Sequence, residues 1–324
     1  MNSRIIWCLA TAAMLVLPAG SSFAKTTLRL GTVLATSDPL YIAAQQFKKD
    51  VEARTKGEVE VLVYPSSQLG DTQNMVDQAQ AGASVGTFVE GSRVSPFVPE
   101  FNVLVAPYAF KSVDELAKFA ETPLFASWND KLKAKTGLTL LSFNWYQGAR
   151  NMLTKKPIKV PADLKGVKIR TIGEPLWLKT IGAMGAVPTP MAWAEVYPAI
   201  QTGALDGAEA QPSAIRGAKL YEVVSHITLT EHIYLMSGLL VSDKWLQSLP
   251  AEHRAIVMEE AKKAGALALK TNVEQEAKIF DEIRARGVKI DKIDTTPFRD
   301  AVQPVYKELG LTEMVAEARK AIGK

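Results

Sequence analysis

Apolar and polar residues alternate at Leu28 and Leu30, and again at Val59, Val61 and Val63. A period of two predicts half-buried strands. Between them Leu40, Ala43, Ala44, Phe47 and Val51 recur at helical spacing. That helix opens at Ser37-Asp38-Pro39, a capping side chain followed by proline at the first helical position. The loop Ser66 to Gly70 leads to a helix ending near Gly82, and Val85 to Val89 predicts a short strand ending at Glu90. Ser112-Val113-Asp114-Glu115 reads as a capping box for a helix reaching about Lys135. A strand over Leu138 to Asn144 follows Gly137.

The segment Thr154 to Ala162 carries Pro157 and Pro161 among charged residues and reads as a crossing between domains. A second strand–helix series follows: a strand at Val167 to Thr171, a helix at Pro175 to Met184, a strand near Val187, and a helix at Ala194 to Gln201. Pro198 is expected to kink or limit the last of these. Val223 to Thr230 and Ile233 to Val241 are β-rich and would return the chain to the first unit. Pro250 opens the longest helical stretch, reaching Arg286, and a break near Lys270 to Asn272 fits its discontinuous apolar stripe as well as a continuous helix does. A short strand containing Val288 and Ile290 and a helix from Pro297 end the chain. Strands alternating with helices over 324 residues predict an α/β protein of two domains.

The first residues follow a different pattern. Arg4 precedes an apolar run from Ile5 to Leu17, Pro18 breaks it, and Ser22-Phe23-Ala24 offers small residues to a signal peptidase. This predicts a secretory signal cleaved after Ala24 and a periplasmic mature protein. The run is short for a membrane span, which needs about 20 residues. Cys8, the single cysteine, leaves with the signal, so no disulfide or cysteine–metal site is expected. The net charge of +4 falls to +3 with the loss of Arg4, and the basic residues are interleaved with acidic ones, so no nucleic-acid partner is expected. The histidines, His226, His232 and His253, form no HExxH, and there is no GxSxG, Walker loop or GxGxxG. Neither a catalytic nor a metal site nor a cofactor is expected.

Several segments carry a resemblance. They are Val63-Tyr64-Pro65-Ser66-Ser67-Gln68-Leu69-Gly70, Pro107-Tyr108-Ala109-Phe110, Asp163-Leu164-Lys165-Gly166-Val167-Lys168-Ile169-Arg170, and the run from Tyr197 to Gly207 that ends Ala204-Leu205-Asp206-Gly207. Thr230-Glu231-His232 and the Leu249-Pro250 helix start add to the set. Taken in order, the mature chain resembles the periplasmic solute-binding subunit of tripartite ATP-independent periplasmic (TRAP) transporters, of the DctP type. The resemblance implies a monomeric two-domain α/β binding-protein fold with an interdomain cleft and a long bracing helix. It places domain I at 25–147 plus 236–275 and domain II at 148–235 plus 276–324. It implies capture of a small organic acid in the cleft and its delivery to a sodium-coupled membrane permease.

By the same resemblance the key ligand contact is Arg170, the arginine ending the strand after Asp-Leu-Lys-Gly. The chemistry agrees, since a strand-end guanidinium can form two parallel bonds to a carboxylate. Arg150 is expected as a second cleft cation, Trp193 as an aromatic against the ligand, and Glu90 as a partner for an amino or hydroxyl group. Trp145, Tyr146 and Trp177 map near the cleft. The chain departs from the family where Asp206-Gly207-Ala208-Glu209-Ala210-Gln211-Pro212 puts Ala210 at the usual amide position. Gln211, one residue out of register, is a candidate substitute, and Glu209 is the alternative. The expected ligand is a monocarboxylate with an apolar or aromatic part. The alternatives are a uronate or C4 dicarboxylate bound by the same subunit, or a periplasmic sensor component.

Overall fold

The computed structural model describes residues 25–324. The export signal and Cys8 lie outside the described residues. Two sheets form. The first takes β1 (Thr26–Gly31), β2 (Val59–Tyr64), β3 (Val85–Val89), β4 (Leu138–Ala149) and, from later in the chain, Tyr234–Ser242. The second takes β5 (Asn151–Thr154), β6 (Lys168–Thr171), β7 (Val187–Pro190), β8 (Gly207–Ala210) and β9 (His226–Leu229). Tyr234–Ser242 is β10, and β11 (Lys289–Lys292) completes the second sheet. The orders are β2-β1-β3-β10-β4 and β11-β9-β5-β8-β6-β7. β1 runs parallel to β2 and β3, and β10 closes antiparallel on β3 and β4. In the second sheet β6 runs parallel to β7 and β8. The chain crosses between the sheets from β4 to β5 and from β9 to β10. At those crossings the Arg150 amide donates to Ile233 O at 2.8 Å, and the His232 amide donates to Arg150 O at 3.3 Å.

The local rules hold where the pattern is strong. Asp38 caps its helix, Pro39–Arg54, by accepting from the Leu40 amide at 2.9 Å, and the five predicted apolar positions of that helix are all buried. Four expectations change. The crossing expected over 154–162 is not there: the chain has already changed sheets at Arg150, between β4 and β5, and 155–162 runs within the second unit toward β6. The helix expected over 113–135 is two, Val113–Ala120 and Pro123–Thr136. Pro123 cannot supply the amide a continuous helix needs, and Thr122 caps a new start by accepting from the Phe125 amide. Pro198 kinks nothing, because it falls in the first turn of Val196–Gln201, where the amide has no helical partner to lose. The C-terminal stretch is three short helices, Thr296–Ala301, Gln303–Glu308 and Leu311–Ala321, divided by Pro304 near one start and by Gly310 in the left-handed region before the next.

The long helix, Ala251–Arg284, is continuous. At 1.5 Å per residue it spans roughly 50 Å. Asn272, in the segment where a break was conceivable, pins the helix instead: its Nδ2 donates to Tyr146 O at 2.7 Å on β4. Gly265 lets the helix approach that strand, since a Cβ there would meet the Asn144 carboxamide, whose Nδ2 donates to Lys262 O.

Candidate functional site

A cavity of about 360 Å³ lies between the two sheets. Its wall is built from chain that has just left parallel strands: Thr32 to Leu34 after β1, Glu90 after β3, Ile172 and Gly173 after β6, Met191 to Trp193 after β7, and Gln211 after β8. Carboxyl ends of parallel strands are where loops diverge and leave a crevice. Arg93, Arg150 and Arg170 all line it, with Glu90 and Gln147.

Arg170 is 5 % exposed. Its Nε donates to Met191 O at 3.0 Å, and its guanidinium sits 5.2 Å from the Trp193 ring centre. Among the described residues no carboxylate pairs with it. Burial pulls its pKa down to about 10, which the carboxylate of Glu209 only partly resists. This is a desolvated cation held by neutral groups, with both terminal nitrogens uncommitted within the fold.

Arg150 is held differently. Its Nε donates to Glu209 Oε2, its Nη2 to Glu209 O at 2.6 Å, and its Nη1 to Gln211 Oε1 at 2.7 Å. Trp177 lies behind it, 5.0 Å from ring centre to guanidinium. Glu209 is fully buried and also accepts from Thr171 Oγ1 at 2.9 Å, with His232 Nε2 3.6 Å away. Burial alone would raise the Glu209 pKa, but Arg150 and His232 overcome it and hold the carboxyl down at about 2. Burial pushes the His232 imidazole down, toward the neutral form. Arg150 is therefore already neutralised by a partner, and Arg170 is not. Gln211 also donates to Gln147 Oε1 at 2.9 Å, so an amide does reach the cavity from one residue beyond Ala210. Glu90 accepts from Arg93 Nε at 2.9 Å, and Arg93 Nη1 donates to Glu174 Oε1 at 3.0 Å.

The structure brings Arg170, Arg150, Trp193, Glu90 and Gln211 to one cavity and leaves three expected aromatics out of its lining. Trp145 is fully buried beneath the first sheet, its Nε1 donating to Ser142 Oγ and its ring 4.7 Å from Phe88. Tyr146, the next residue, points to the other face of the strand, as pleating requires, and borders a separate groove with Val273 and Glu276 of the long helix. Trp177 donates from Nε1 to Ser92 Oγ at 2.8 Å and packs behind Arg150. Sequence reasoning missed Arg93, Glu174 and Gln147, and weighed Glu209 only as a stand-in for the amide contact and not as the partner of Arg150. Glu209 stood in the Asp-Gly-Ala-Glu segment, and its role could have been read from one question: what compensates a buried Arg150.

The sequence matches the family model of DctP, bacterial extracellular solute-binding protein family 7, over residues 30–312. The chain belongs to this family. It is a TRAP-type solute-binding protein and not an enzyme. It is 32 % identical to the sialic acid-binding periplasmic protein of Vibrio cholerae, covering 92 % of this chain and 93 % of that one. A TRAP periplasmic solute-binding protein from Escherichia fergusonii, in an apo open structure, is 46 % identical with a TM-score of 0.81, covering 91 % of this chain and 99 % of that one. A TRAP protein from Citrobacter koseri with bound D-glucuronate is 30 % identical with a TM-score of 0.86, covering 92 % and 99 %.

Proposed function

We propose that this protein captures a sugar acid of the uronate type in the cavity between its sheets and hands it to a TRAP membrane permease. The observation that carries the reading is Arg170, a buried guanidinium that lines the cavity with no carboxylate of its own. A ligand carboxylate would complete it through two parallel bonds. Arg150 and Gln211 then present polar groups to ring hydroxyls, and Glu90 can accept from them. Trp193 offers a flat face to one side of the ring.

The apolar or aromatic monocarboxylate expected from the sequence loses its support. Trp145, Tyr146 and Trp177 do not line the cavity, and three arginines, two carboxylates and two amides share its wall with aliphatic side chains, Phe88 and Trp193. The doubt that Ala210 cast on a hydroxylated ligand weakens as well, because Gln211 brings an amide to the cavity. Sialic acid and D-glucuronate, named for two of the relatives, are both sugar acids.

In this reading the two halves, 25–147 plus 236–275 and 148–235 plus 276–324, close on the ligand. The present structure is nearer to the glucuronate-bound relative than to the apo open one, although the latter is more similar in sequence. The mature protein begins at Lys25 in the periplasm and works as a monomer. A thermal-shift panel on protein freed of ligand by unfolding and refolding tests the assignment. Hexuronates and aldonates should raise Tm, and aliphatic or aromatic monocarboxylates of equal size should not. The reverse order would overturn it.

A further inference from the structure

Glu90 and Arg93 follow β3 of the first sheet, and Glu174 follows β6 of the second. Arg93 thus joins the two sides of the cleft, with its Nε on Glu90 and its Nη1 on Glu174. The three side chains are 10 %, 16 % and 16 % exposed, so the bridge is largely shielded from water. Burial raises the Glu174 carboxyl's pKa, and Arg93 beside it opposes that. The cavity's three cations are therefore unequal. Arg93 has two carboxylates, Arg150 has one, and Arg170 has none.

A monoanion placed on Arg170 meets the one open positive charge. A second carboxylate elsewhere in the cavity finds only cations that already hold a glutamate. On the side formed by Arg93 it would also face Glu90 and Asp71, which line the cavity, while Glu174 holds the Arg93 charge from outside the lining. Like charges brought together without water cost several kcal/mol in known complexes.

We infer that the Glu90–Arg93–Glu174 bridge is a charge filter that restricts the site to acids with a single carboxylate. Glu174 is a specificity-determining residue that acts by holding Arg93. The inference rests on the uronate reading for its preferred ligand, while the charge count behind it applies to any acid held by Arg170. It separates this site from a dicarboxylate receptor, which needs a second open cation.

Calorimetry on the mature protein at pH 7.5 tests it with two pairs of acids matched in length: D-glucuronate with D-glucarate, and hexanoate with adipate. In each pair the second acid carries one extra terminal carboxylate; glucarate also lacks the ring of glucuronate, so the hexanoate–adipate pair isolates the charge. The wild type should bind glucuronate at least about 100-fold more tightly than glucarate. Glu174→Gln keeps the shape of the side chain and frees Arg93 from one charge. It should narrow that ratio about tenfold or more, chiefly by improving glucarate. Glu174→Ala should narrow it in the same direction, and a melting curve for each variant shows whether it is folded. If hexanoate binds and neither sugar acid does, the uronate reading fails, and the hexanoate-to-adipate ratio still decides the filter. A diacid that binds the wild type as tightly as its monoacid overturns the filter, as does a ratio that both folded variants leave unchanged. No binding in either pair overturns both readings.

Discussion

Replacing Arg170 should remove ligand affinity and leave the fold as stable as before. The two halves of this prediction have one physical source. Within the protein Arg170 gains a single bond, to Met191 O, and the face of Trp193. Against that it has lost nearly all its water. Its pKa, drawn down to about 10 by burial, reflects the imbalance. At 1.36 kcal/mol per unit, the charged form is under-compensated by something on the order of 3 kcal/mol. Arg170→Met, which fills the same volume without the charge, should then leave the unliganded Tm unchanged or raise it. Binding is the opposite case. Removing one partner of a buried, hydrogen-bonded charge pair costs about 2–5 kcal/mol, or roughly 30-fold to several thousand-fold in Kd. Arg170→Lys should recover only part of the loss, because an ammonium cannot form the two parallel bonds. Calorimetry with the sugar acid that gives the largest thermal shift, together with urea melts of the unliganded variants, reads both halves. Unchanged affinity in Arg170→Met would refute the assignment of the carboxylate to this residue. A folded-state loss as large as that of an Arg150 variant would refute the claim that the fold leaves Arg170 uncompensated.

Three further outcomes follow from other buried groups. Glu209→Ala strands the Arg150 charge and should cost about 3–5 kcal/mol in a urea melt; in the parent, the stability from Glu209 is present above its unfolded pKa near 4.5 and is lost as pH falls toward about 2. Asp38 has the reverse sign, since burial raises its pKa to about 6, so its contribution is full below about pH 3.8 and lost as pH rises through 6. Asp38→Asn keeps the cap on the Leu40 amide, so it should raise Tm at pH 7.5 and flatten the decline between pH 4 and 7, and an unchanged pH profile would count against it. Gly91→Ala would bring a Cβ to 2.1 Å from the Phe101 carbonyl oxygen, so it should cost about 1–3 kcal/mol of stability and, by shifting the Glu90–Arg93 turn, weaken ligand binding measured by calorimetry.

Much of the frame was legible because it rests on local rules. Alternation marked β1 and β2 and Asp38-Pro39 marked a helix start, while Arg170 was singled out through the family resemblance, with which the chemistry of a strand-end guanidinium agreed. The long-range pairings were not legible. Glu174 meets Arg93 from 81 positions away, and Glu209 meets Arg150 from 59. No periodicity connects such residues. They are joined by the topology that sets β3 opposite β6 and pairs β5 with β8. The tryptophans failed for a related reason. Trp145 and Tyr146 lie on β4 near the crossing, but which face each occupies depends on the pleat and on irregular pairing with β10, which shifts register between Leu235 and Met236 and again between Ser237 and Leu239. A register shift of one residue exchanges core for cavity.

The same crossing explains why Arg150 is tied down when Arg170 is not. Arg150 occupies the one residue between β4 and β5, and its backbone bonds to both His232 and Ile233 in the returning segment just before β10. Its side chain reaches Glu209 and Gln211 at the end of β8, so a single residue joins both crossings to the floor of the cavity. An unpaired guanidinium there would put an uncompensated charge at the crossings between the sheets, with or without ligand. Glu209, supported by Thr171 and His232, removes that cost permanently. Arg170 stands on β6, within one sheet, where an open charge costs stability but lies away from the crossings. A ligand shifts a domain equilibrium only by its differential affinity for the two states. In the closure proposed above, that difference is largest where the fold itself has left a charge unanswered, and in this cavity that place is Arg170.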